Sequence, residues 1–160
     1  MFAFIMSKTI EALENDFWDD PTYPASFVLK THELRKKPID DFTIEDLRFM
    51  IGENEGTDIL LPITLDRLKD SPLAKSYVYP EFLLFSVISL PKEYWETKKN
   101  ELQSVKTIGN LALKELELTW KQRQSNLKRE YNAEIDLKDC IEDPEDKLAE
   151  LVKKFLENHT

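Results

Sequence analysis

Residues 43–70, TIEDLRFMIGENEGTDILLPITLDRLKD, decide the fold. Thr43 followed by Glu45 and Asp46 is a helix start: a hydroxyl that can cap, carboxylates in the first turn, and an acid three residues on. Ile44, Leu47, Met50 and Ile51 recur at helical spacing and form one buried set, and Gly52 is the natural stop. Thr57 or Asp58 opens a second helix to about Lys69. Ile59, Leu60, Ile63, Leu65 and Leu68 supply its apolar surface, and Pro62 is tolerable because it sits near the first turn. Asp70-Ser71-Pro72 closes it.

The same signals extend outward. Ser26 can cap a helix through about Lys37, with Phe27, Val28, Thr31 and Leu34 on one face. Arg35, Lys36 and Lys37 suit its last turn, where the dipole favours cations, and Pro38 ends it. Before it, Ser7 can cap a helix to about Trp18, with Ile10, Leu13, Phe17 and Trp18 as the apolar face and Asp19-Asp20-Pro21 as the stop. Downstream, Pro80 suits the first position of a helix ending before Pro91. Phe82, Leu83, Leu84, Phe85, Val87, Ile88 and Leu90 make it apolar almost all round, so it should be the most buried helix; a short buried strand is the other reading. Pro91 can start a long helix with Tyr94, Trp95, Leu102, Val105 and Ile108, running to about Ala133. Gly109-Asn110 either breaks it or is absorbed. After Pro144, Leu148, Leu151, Val152 and Phe155 form the apolar stripe of a last helix.

Composition agrees with an all-α protein. The chain has 160 residues, enough for one core, only 3 Gly, and 33% charged residues dominated by Glu and Lys. Composition shifts near residue 97, where prolines and aromatics give way to Glu/Lys-rich helices. This predicts a compact multi-helix domain over 1–96 and a charged helical extension over 97–160, either separate or packed on the first as one domain. The single cysteine, Cys140, fits a reducing cytoplasm. MFAFIM at 1–6 is too short for a secretory h-region, so Met6 is a candidate natural start. No apolar run reaches the roughly 20 residues that span a bilayer.

Charge narrows the class of partner. The net charge is −9, which disfavours nucleic acid and anionic membranes and attracts a basic protein. Residues 1–57 hold twelve acids and six bases, a net of −6, whereas 58–110 balance and 111–160 carry −3. The candidate partner-binding residues, chosen on charge, are Asp16, Asp19, Asp20, Asp40, Asp41, Glu45, Asp46, Glu53, Glu55 and Asp58. Trp18, beside Asp19-Asp20, joins them as the tryptophan best placed to reach a partner. Acids at helix ends are also expected simply from the helix dipole and solvation.

Catalytic signals are nearly absent. His32 reads as a surface or half-buried helix residue and His159 as a solvated tail residue. Cys140 lacks a basic cluster to activate it. There is no CxxC, HExxH, phosphate-cradling glycine loop or GxSxG. Asp19-Asp20 and Asp40-Asp41 could hold a divalent ion only weakly. The expectation is therefore a protein that is not an enzyme and needs no metal or cofactor.

Three stretches together carry a resemblance: SKTIEALENDFW at 7–18, HELRKKPIDDFTIEDLRFMIGENEGTDILLPITLDRL at 32–68, and YPEFLLFSVISLPKEYW at 79–95. The chain from Ser7 to about Glu96 resembles the immunity proteins of contact-dependent growth inhibition (CDI) systems (CdiI-type). The resemblance implies a cytoplasmic protein that binds the C-terminal toxin domain of a large secreted effector. Such toxins are often nucleases, commonly tRNases, and often basic. It supplies no interface residue, and the last 60 or so residues depart from it. The alternative reading is a helical adaptor or antitoxin-like regulator in another complex, self-assembling through the last helix. A third is an enzyme with carboxylate chemistry, which needs convergent acids of perturbed pKa in a pocket.

Overall fold

The computed structural model describes residues 8–22, 25–75, 82–131 and 144–159. Among them the protein is all-α: α1 (Ile10–Glu14), α2 (Ser26–Arg35), α3 (Ile44–Gly52), α4 (Thr57–Asp70), α5 (Leu83–Ile88), α6 (Lys92–Thr97), α7 (Lys99–Tyr131) and α8 (Pro144–Asn158), with a 3-10 turn at Ile39–Asp41. The one β feature among the described residues is an isolated bridge between Lys75 and Phe82. Ser7, Pro80, Cys140 and the candidate start at Met6 lie outside the described residues.

α3 starts as its sequence dictates. The Thr43 hydroxyl accepts from the Asp46 N–H, and the Asp46 carboxylate accepts from the Thr43 N–H, closing a reciprocal capping box. Replacing Thr43 by Ala is expected to cost about 1 kcal/mol and lower the melting temperature by about 3 °C, read by thermal denaturation. Gly52 is the last helical residue, and the left-handed residue that turns the chain is Asn54 (φ 58°). Gly56, also left-handed (φ 60°), precedes α4; a Cβ there would stand 3.0 Å from Ile10 Cδ1, so it lets α1 seat against the start of α4.

α5 is the centre of the molecule. It touches α3, α4, α7 and α8, and Leu83, Leu84 and Val87 are fully buried. The continuous apolar run of the sequence is thus a helix with neighbours on several sides. The core crosses residue 97 without a gap: Val105, Ile108 and Ala112 of α7 and Leu148, Val152 and Phe155 of α8 lie in it with Leu47, Leu60 and Trp95. Phe155 meets Trp95 edge-on at 5.8 Å between centroids. Gly109 is absorbed into α7, where a Cβ would come within 3.1 Å of Val152, so its missing side chain permits a close helix crossing.

Three expected boundaries move. α1 ends at Glu14, because Asn15 adopts a left-handed conformation (φ 52°) and turns the chain, leaving 16–20 outside regular structure. Phe17 is therefore not on an apolar helix face but 65% exposed. α2 stops at Arg35, two residues before Lys37, since the residue preceding Pro38 is steered away from helical geometry. Phe27, expected on its buried face, is exposed at the helix's first turn, while Thr31 and Leu34 are buried. The long helix expected from Pro91 is broken at Lys98 (φ −115°, ψ 50°), which leaves helical geometry while its ammonium bonds the Asp58 carboxylate at 2.8 Å.

Candidate functional site

α2 projects Arg35 into the space between α1 and the start of α4. Its guanidinium is 3% exposed and meets three carboxylates: Glu14 at 2.7 Å, Asp16 at 3.3 Å and Glu55 at 3.7 Å. It also donates to the Asp16 carbonyl at 3.0 Å and lies 4.1 Å from the centre of the Trp18 ring. Trp18 donates its indole N–H to Asp16 at 2.8 Å. One helical turn away, His32 Nε2 donates to the Asp19 carbonyl at 3.0 Å, and Lys36 reaches Asp20 at 3.6 Å. The irregular segment 16–20 is thus held against α2 by side chains.

Of the sequence-chosen residues, Asp16, Trp18, Asp19, Asp20 and Glu55 come together in this cluster, with Glu53 close enough to act electrostatically on Glu55. Burial, aided by Glu14, Asp16 and Glu53, pushes the Glu55 carboxyl above its ordinary range against the pull of Arg35. Asp40 and Asp41 are exposed in the 3-10 turn. Glu45 is half-buried and pairs with Lys30 at 3.3 Å and Arg48 at 3.0 Å. Asp46 is buried, serving the α3 cap and pairing with Lys37 at 2.8 Å. Asp58, away from the Arg35 cluster in its bonding, accepts from Lys98 at 2.8 Å and from the Tyr94 hydroxyl at 3.0 Å.

Burial raises the Asp46 carboxyl, but the Lys37 ammonium and the Thr43 N–H and hydroxyl outweigh it and hold the group below the usual carboxylate range. A lowered folded-state value adds stability above the unfolded pKa of about 3.9, and that stability is lost as pH falls through the folded value. Asp46→Asn is therefore expected to lower the melting temperature at pH 7 and progressively less as pH falls below the unfolded value of about 3.9, which a series of melts from pH 7 into acid would show.

Arg35 and Phe17 are the residues that sequence reasoning passed over. Arg35 reads locally as a cation suited to a helix C-terminus, and its carboxylate partners lie 19 to 21 positions away on either side. Its being arginine beside two lysines is the one local sign, since a planar fork serves several carboxylates better than an ammonium. His32, expected at the surface or half-buried, is 8% exposed because the 16–20 segment covers it.

Elsewhere, an open groove of about 470 Å³ runs between α7 and α8, lined by Leu113, Lys114, Glu117, Trp120 and Lys153 among others. Its charges are of mixed sign. Among the described residues, no group of three His, Cys, Asp or Glu side chains is placed to hold a metal ion, and no helix is long and apolar enough to cross a membrane.

The family model of the CDI immunity proteins matches residues 6–105, which covers the Arg35 cluster and ends inside α7. No curated protein and no solved structure matches the chain.

Proposed function

The chain belongs to the CDI immunity proteins, inhibitors that neutralise a cognate CDI toxin, and from that premise we propose that its toxin is a basic nuclease, possession of which the chain offsets in the cytoplasm by binding it through the acidic first third. The observation that carries this reading is the state of the carboxylates. Asp19, Asp20, Asp40 and Asp41 are exposed and are not used to build the core. They stand on a part of the chain with a net charge of −6. A field of this kind speeds encounter with a cationic partner and disfavours the nucleic acid that a nuclease would otherwise hold. Asp16, Glu53 and Glu55 add negative charge around Arg35, whereas Asp46 and Glu45 contribute their charge from within local ion pairs.

The alternative of assembly through the last helix finds little apolar surface to use. Of that stripe, Leu148, Val152 and Phe155 are buried within the chain itself, and Leu151 is half-buried.

Growth is the test. Cells producing the C-terminal domain of the cognate CDI toxin should survive when the chain is co-produced, and purified chain should block degradation of RNA or DNA by that domain. Failure of protection would remove the reading; protection from a toxin that degrades no nucleic acid would remove its nuclease part.

A further inference from the structure

We propose that Phe17 and Trp18, displayed on the irregular segment 16–20, form the anchor of the toxin-docking surface, and that Arg35 is the positioning residue that holds the segment there. The proposal rests on the reading above and names the surface that reading leaves open.

Phe17 is 65% exposed and Trp18 36% exposed. An exposed aromatic pair on a segment outside regular structure does nothing for the core, and such side chains are the usual anchors of protein interfaces. The segment's shape depends on α2: Arg35 grips Asp16 and stacks on Trp18, and His32 holds the Asp19 carbonyl. A buried cation amid carboxylates is a weak source of stability compared with a well-packed apolar residue of similar size. What it supplies here is a fixed posture for the aromatic pair, with fewer conformations to lose on binding.

The surroundings select the occupant. Glu14, Asp16 and Glu55 surround Arg35, which lies against the Trp18 ring, exposed Asp19 and Asp20 follow in the chain, and Lys36 is a neighbouring surface cation, so the surroundings are strongly negative. They fit a lysine- or arginine-rich patch of the toxin domain. The aliphatic stems of those side chains would lie on Phe17 and Trp18 and their heads would reach the carboxylates.

The experiment measures affinity and rate constants for the purified C-terminal domain of the cognate CDI toxin, at low and at high salt. The chains compared are wild type, Phe17→Ala, Trp18→Ala, Arg35→Lys and the Phe17→Ala/Arg35→Lys double variant. Phe17→Ala should weaken binding at least about tenfold at both salt concentrations, mainly through faster dissociation, with an unchanged melting temperature. Trp18→Ala should act in the same direction. Arg35→Lys should weaken binding too, but add little to Phe17→Ala, because both act through one anchor. Wild-type affinity for both aromatic variants, with salt-sensitive binding by the parent chain, would overturn the anchor and leave the proposed function standing. Full additivity of Arg35→Lys would overturn its positioning role. A parent chain that does not bind, or binds with no dependence on salt, would overturn the cationic partner and the proposal with it.

Discussion

A chain that ends at residue 143 should fail to fold. α8 contributes Leu148, Val152 and Phe155 to the core, each buried, with Ala149 and Leu156 packed partly against it. Burying a side chain of this size stabilises by about 1.5–3 kcal/mol, so the three together supply about 5–9 kcal/mol. The whole stability of a domain is about 5–15 kcal/mol. Removal also uncovers the Trp95 ring, which is 1% exposed and packs edge-on against Phe155, and opens the crossing at Gly109. The expected result is loss of the cooperative thermal transition and of most far-ultraviolet helical signal, or an insoluble product. A truncated chain melting within a few degrees of the full one would mean that the N-terminal helices hold themselves together without α8.

The second large effect is on association. Converting Asp19, Asp20, Asp40 and Asp41 together to asparagine removes four negative charges from the exposed surface of the first third. None of them belongs to the core, and Asp20, which pairs with Lys36 at 3.6 Å, is itself a side chain that is 95% exposed. Stability should therefore change little. The toxin association rate should fall at least about tenfold at low salt, and the difference from wild type should shrink as salt is raised, because screening acts on the same long-range term. Stopped-flow or surface-binding kinetics at two salt concentrations would show it.

The sequence made α3 and α4 readable because their determinants are local: a Thr43 cap, Asp46 three residues on, and apolar residues at helical spacing. The burial of α5 followed from its unbroken apolar run, and the stripe of α8 from its regular spacing. What stayed hidden depends on distant partners. The posture of 16–20 depends on Arg35, 19 residues beyond Asp16, and on Glu55 further on. The break at Lys98 is tied to Asp58, 40 residues earlier. The acids show the same limit. Glu45 and Asp46 look like Asp40 and Asp41 in charge, yet only the fold reveals that Lys30, Lys37 and Arg48 engage the first pair. The family, by contrast, was legible from three helical stretches read together, and the residues that meet the toxin were not, since charge marks a region rather than a contact.

The central claim, neutralisation of a basic toxin by the acidic first third, is tested most directly by calorimetric titration of the purified toxin domain into the full chain across a salt series. The account predicts saturable binding whose affinity falls steadily as salt rises and is reduced at low salt by the four-asparagine variant. Equal affinity at all salt concentrations, and the same affinity for the variant as for the wild type, would contradict it.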